Sequence, residues 1–181
     1  MEPWALNIGY MQCGFVIKSN RSERTLLLAR QEQKNLSQWL AKIIEDHLFV
    51  FNTTEGVYLF LAEEHCTAWL EEQLDTYLQK RISSSYVLRN RSNHLHFFTE
   101  EIGQILQDDT SSSFMWKNFI SSFLGQLNPF VGDSTAIATL FKTFVGIVKL
   151  RGTVAQLDYL KRKMNLLRER VDLGDLFQND D

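Results

Sequence analysis

The sequence predicts an α+β fold: an antiparallel sheet from tandem β-hairpin–helix units, followed by a C-terminal helical arm with a long terminal helix. Three observations predict it. One local pattern (apolar run, polar turn, apolar run, helix) occurs three times, at offsets of 33 residues from Leu28 to Leu61 and 37 from Leu61 to Phe98. Such spacing suits a repeated supersecondary unit. The segments after each pair of runs place apolar residues at three- and four-residue steps, as amphipathic helices do. Beyond residue 113 the paired runs stop and helical periodicity takes over.

In the first unit, Phe15-Val16-Ile17 and Thr25-Leu26-Leu27-Leu28-Ala29 flank the polar turn Ser19-Asn20-Arg21-Ser22-Glu23. A helix over about 31–48 follows, with Leu36, Trp39, Leu40, Ile43, Ile44 and Leu48 on one stripe. In the second, Phe49-Val50-Phe51 and Tyr58-Leu59-Phe60-Leu61-Ala62 flank Asn52–Gly56, and a helix over about 63–81 carries Cys66, Trp69, Leu70, Leu74, Tyr77 and Leu78. In the third, Tyr86-Val87-Leu88 and Leu95-His96-Phe97-Phe98-Thr99 flank Asn90–Asn93, before a short helix with Ile102, Ile105 and Leu106. Trp39-Leu40 and Trp69-Leu70 occupy similar places in their units. The pattern also fits a non-repetitive α+β fold, and either version gives an antiparallel sheet of five or six strands with helices on one face.

The second runs do not alternate apolar with polar, as a half-exposed strand does. Successive strand side chains point to opposite faces, so both sheet faces carry large apolar groups. The far face therefore needs a cover: the C-terminal helices, a second copy or a partner.

Asp108-Asp109-Thr110-Ser111-Ser112-Ser113 has a linker's composition. An aromatic-rich helix follows over 114–127, and Asn128-Pro129 breaks it. Asp133 or Ser134 then caps a helix that runs to about residue 171. Its first half buries Ile137, Leu140, Phe141, Phe144, Ile147 and Val148. Its second half fits heptads: Leu150, Leu157, Met164 and Val171 on one row, Thr153, Leu160 and Leu167 on the other. The resulting regions are 1–107 (α+β), 108–113 (linker), 114–173 (helical) and 174–181 (acidic tail).

With 181 residues and 44% hydrophobic content the chain can bury a core. A net charge of −3 argues against nucleic acid as a partner, which needs a basic footprint. Charge is uneven: 151–171 holds six Lys/Arg against two acids. Cys13 and Cys66 form neither a disulfide framework nor a metal-type spacing. The N-terminus shows no secretory signal, and no apolar run is long enough to span a membrane. A cytoplasmic protein is the expectation.

No catalytic, cofactor or metal site is expected. His94 and His96, two apart on an expected strand, would point the same way, with His47, His65, Cys66 and nearby acids as further ligands. His96 aligns, however, with the packing positions Leu26 and Leu59. Cys66 beside His65 is no nucleophile–base pair on a helix, Cys13 reads as a small core residue, and the scattered glycines make no phosphate loop. Arg21 and Arg91, with Arg24, Arg30, Arg81 and Arg89, could form a basic rim at the hairpin ends, although turns are polar for solvation alone.

The expected function is a non-catalytic adaptor or regulatory subunit acting through its C-terminal helix. Leu150, Leu157, Leu160, Met164 and Leu167 would anchor the contact. Lys161, Lys163, Arg168 and Arg170 would select an acidic helical surface on a protein partner, or take part in self-association. Two alternatives stand beside it. One is a membrane-recruited effector using 114–150, where Trp116, Phe119, Ile120, Phe123 and Leu124 face one way. The other is a small metal-dependent enzyme built on His94 and His96.

Overall fold

The computed structural model describes residues 11–20, 25–107, 113–130, 132 and 134–168, the side chains of Ser113 and Arg168 excepted. Arg21–Arg24, the linker residues 108–112, Asp133, Arg170 and the acidic tail lie outside these. The chain divides into two compact units, Met1–Phe97 and Phe98–Asp181.

The first unit is α+β. Strand β1 (Met11–Ser19) leads to helix α1 (Arg30–Ile44), the hairpin β2 (Phe49–Thr53) and β3 (Gly56–Ala62), a 3₁₀ turn (Glu63–His65), helix α2 (Ala68–Gln79) and strand β4 (Tyr86–Asn90). The sheet is antiparallel throughout, in the order β2-β3-β1-β4. The fold class follows the sequence, with four strands among the described residues instead of five or six, because among these residues only the middle unit forms a hairpin. In the first unit the second apolar run is not a strand: Leu26 is 54% exposed while Leu28 is buried. In the third, His94, Leu95 and His96 form a turn, and Phe97 opens a helix. β1 and β4 instead pair with each other, and β1 also with β3.

Local chemistry sets the element ends. The Ala29 N–H donates to the Glu32 carboxylate (2.7 Å) at the start of α1, a role acids fill in a first helical turn. Glu45 ends α1 in the left-handed region (φ 52°), its N–H donating to the Ala41 carbonyl. Thr67 caps α2 by accepting from the Leu70 N–H (3.2 Å). At the start of β3, just after the hairpin loop, Gly56 takes the positive φ (155°), and a side chain there would crowd the Ile17 carbonyl. At Gly14 the β1–β3 register shifts. A Cβ at that bulge would lie 2.5 Å from Cys66 Sγ and 3.1 Å from a Leu61 methyl.

One sheet face packs on α1 and α2: Phe15, Ile17, Val50, Val57, Leu59 and Leu61 meet Leu36, Leu40, Ile44, Leu70, Leu74 and Leu78. Trp39 stacks on Tyr77 (4.4 Å between centroids), and the Arg81 guanidinium lies over the same Tyr77 ring. The expected equivalence of the two Trp-Leu pairs holds for Leu40 and Leu70, both buried, and fails for the tryptophans, since Trp69 is 56% exposed. On the other face Phe49, Phe51, Tyr58 and Phe60 pack against one another and are also buried. Both faces of β2 and β3 thus carry buried apolar side chains, which matches their unbroken apolar runs.

The second unit is helical: α3 (Phe97–Gln107) joins α4 (Ser113–Leu127), a 3₁₀ turn (Asn128–Phe130), α5 (Thr135–Arg151) and α6 (Val154–Arg168). Ser134 caps α5, accepting from the Ile137 N–H. Its core is aromatic: Phe123 stacks on Phe144 at 4.0 Å, with Phe98 and Phe119 against them. The expected continuous helix is instead two. Gly152 leaves α5 with extended backbone. The Thr153 N–H donates to Gln156 Oε1 (2.8 Å) while Thr153 Oγ1 accepts from the Gln156 N–H (3.4 Å). This reciprocal capping box starts a new helix. Gln156, buried, also donates from Nε2 to the Leu106 carbonyl (3.0 Å), tying α6 to the end of α3.

Candidate functional site

In the first unit a groove of about 660 Å³ runs between α2 and β4. Ala68, Glu71, Glu72, Asp75 and Gln79, at helical spacing on one side of α2, form one wall. Ser84, Ser85, Tyr86 and Leu88 form the other. Three of these nine residues are acidic and none is basic. The Tyr86 hydroxyl donates to Asp75 Oδ1 (2.8 Å) and the Asp75 carbonyl (3.2 Å), fastening α2 across the strand. Burial, reinforced by the Asp75 carboxylate, pushes the Tyr86 phenol up to about 12, so it stays a donor at neutral pH. Asn90 Nδ2 donates to the Cys66 carbonyl and closes the other end of the wall.

β4 is an edge strand, and its register shows what it offers. Arg91 N–H donates to Gly14 O and Asn20 N–H to Ser85 O, outside the pairs Phe15↔Asn90 and Ser19↔Tyr86. Those pairs, with Ile17↔Leu88 between them, are therefore the non-hydrogen-bonded kind, and Val87 and Arg89 make the ladder bonds to β1. Tyr86, Leu88 and Asn90 accordingly direct their N–H and C=O groups away from the sheet, where no described strand pairs with them.

The second surface is the outer side of α5 and α6. Leu150 and Val154, 83% and 76% exposed, flank the Gly152-Thr153 corner. Leu166, Lys161 and Arg162 are exposed along α6. Leu160 and Met164 are buried in this unit, and Leu157, Lys163 and Leu167 are half-buried, with the Lys163 ammonium 5.5 Å from the Tyr159 ring centre. The expected anchors thus divide: Leu160 and Met164 are buried in the helical unit, Leu157 and Leu167 are half-buried, and Leu150 faces out, as does Lys161 among the charges expected to select the partner. In α4, Phe119, Ile120, Phe123 and Leu124 are core residues, and Phe114 is exposed. Among the described residues no helix is long and apolar enough to cross a membrane.

The histidine pair does not form. His94 and His96 sit in turns, where period-two alternation does not apply, and the His94 ring packs edge-on to Phe97. A different cluster, which sequence spacing missed, brings Asp46, Glu64 and His65 ligand atoms within 4.8 Å of one another. His65 Nε2 lies 3.1 Å from Asp46 Oδ2 and 3.6 Å from Glu64 Oε1. The His47 N–H holds the Asp46 carboxyl below its usual range, and His65 adds to this. The 3₁₀ turn after β3 meeting the end of α1 creates the cluster, a tertiary contact between residues far apart in the chain. Burial pushes the Cys66 thiol up to about 11, which keeps it protonated at neutral pH. The Arg81 and Arg91 guanidinium groups lie over the Tyr77 and Phe97 rings, and Arg21 and Arg24 fall outside the described residues. No protein-family model, curated protein or solved structure matches the chain.

Proposed function

We propose that the chain is a non-catalytic adaptor or regulatory subunit of the cytoplasm, acting by protein–protein contact through its C-terminal helix. The observation that carries this reading is the pair of large apolar side chains left exposed at the α5–α6 corner, Leu150 near the end of α5 and Val154 at the start of α6; α6 continues with exposed Lys161 and Arg162. Scattered single exposed leucines are ordinary, but apolar groups followed by a mainly basic stretch, Lys161, Arg162 and Lys163 against the single acid Asp158, suit docking of an acidic helix. Like charges oppose parallel pairing of two copies of α6.

The test compares the tagged full-length chain with a variant in which Lys161, Lys163, Arg168 and Arg170 are all changed to Glu, both purified from cytosol. The expected result is a protein retained by the wild type and lost with the variant, the retention weakening as salt is raised. Equal retention by a variant with an unchanged circular dichroism spectrum would refute the helix as the contact.

A further inference from the structure

We infer that the groove between α2 and β4 is a strand-addition site for an extended, lysine- or arginine-bearing segment of a partner protein. Two independent features meet there. The first is the outer edge of β4, which presents the N–H and C=O groups of Tyr86, Leu88 and Asn90 at the spacing a further strand requires. The second is charge: Glu71, Glu72 and Asp75 line the helical wall with no basic residue among them. Opposed residues of an antiparallel pair share a face. A segment bonded to β4 therefore projects alternate side chains over the face that carries Tyr86 and Leu88, against the α2 carboxylates.

Charge complementarity selects the occupant. Two copies joined at β4 would bring two acidic grooves together, and the chain's own last ten residues carry four Asp and no base. A cationic segment from another protein meets neither objection.

The probe is the peptide acetyl-Thr-Lys-Thr-Lys-Thr-Lys-Thr-amide, titrated into the full-length protein and followed by anisotropy and by amide shifts and hydrogen exchange. Binding should shift and protect the amides of Tyr86, Leu88 and Asn90. A peptide with Glu for Lys should not bind. Glu71→Lys with Glu72→Lys should weaken binding at least about tenfold, since opposed like charges at an interface cost several kcal/mol. Backbone N-methylation then reads the pairing itself. Only one edge of an added strand meets β4, so methylating either the three lysines (antiparallel addition) or the threonines (parallel addition) should abolish binding, and the other pattern should leave it intact.

Binding that survives both methylation patterns, or fails with both, overturns strand addition. Equal binding of the Glu peptide, or shifts away from α2 and β4, overturns the site. A free protein that sediments as a dimer with the β4 amides already protected makes the occupant a second copy and likewise overturns the proposal. The α6 charge variant should bind the peptide as the wild type does, so this result stands apart from the function proposed above.

Discussion

Glu45 is the one non-glycine residue with positive φ among those described, and it is exposed at the end of α1. Left-handed backbone costs a residue with a Cβ about 1–2 kcal/mol, which glycine avoids. Glu45→Gly should therefore stabilise the protein by about 0.5–1 kcal/mol, the gain trimmed by the entropy glycine loses on folding. A denaturant midpoint that falls would show that the Glu45 side chain contributes more than its backbone strain costs. Gly14 gives the opposite case. The alanine methyl would meet Cys66 Sγ and a Leu61 methyl, so Gly14→Ala should cost about 1–3 kcal/mol, the range for overpacking. Adding Cys66→Ala should recover part of that loss, and strictly additive effects in the double-mutant cycle would refute the contact. Neither feature was legible in the sequence. A bulge glycine has no local signature, and Glu45 reads as an ordinary polar residue after a helix. Leu26 and Leu28 show the same limit: the run Leu26-Leu27-Leu28 reads as strand, yet one end is exposed and the other buried because the chain bends between β1 and α1.

At the scale of elements, what could be read was what is local. The β2–β3 hairpin, the amphipathic stripes of α1, α2 and α3, the aromatic helix α4 and its end at Asn128-Pro129 all follow from residues within a few turns of one another. β1 and β4 read as halves of hairpins, yet their partners are distant: β1 lies between β3 and β4, and local periodicity carries no record of non-local pairing. The groove is hidden for the same reason, since Glu71, Glu72 and Asp75 read as a solvated helix face until β4 is set beside them. The division of α5 from α6 is written in the local sequence. Gly152 followed by Thr153-Val154-Ala155-Gln156 is a helix stop followed by a capping box, but the heptad pattern runs across it. Thr153→Ala should cost about 1 kcal/mol through the lost cap. Gln156→Ala should cost about 2 kcal/mol, because the Leu106 carbonyl and Thr153 N–H both lose their partner. In the double variant the losses should fall short of their sum, since both residues belong to one box. Urea unfolding of the three variants measures this, and full additivity would mean that the Thr153–Gln156 reciprocity contributes nothing.

For the whole molecule, the displaced ionisations predict how stability depends on pH. Asp46 is depressed below its ordinary carboxylate value. Its contribution is present above the unfolded pKa of 3.8 and is lost as pH falls through the folded value. Cys66 and Tyr86 are displaced the other way, from 9.0 to about 11 and from 10.0 to about 12. For these acids the protonated form is the one the fold holds. Below pH 9 both are protonated in the folded and unfolded chain alike, and their contribution is complete. Above pH 9 the unfolded chain ionises first and gains stability relative to the fold, so the contribution declines with rising pH and is gone above the folded values. Melting temperature should therefore hold level between about pH 6 and 9, then fall more steeply than general charge repulsion requires, as linkage demands of a fold that binds protons more tightly than the unfolded chain does. Cys66→Ala with Tyr86→Phe removes both groups. The double variant should start lower, because the bond from Tyr86 to Asp75 is gone, and should lose less between pH 9 and 11 than the wild type. Circular dichroism melts across that range decide the matter: parallel declines in the two proteins would place the alkaline sensitivity elsewhere in the chain, and a shallower decline in the variant would assign it to the half-buried thiol and to the phenol that fastens α2 to β4.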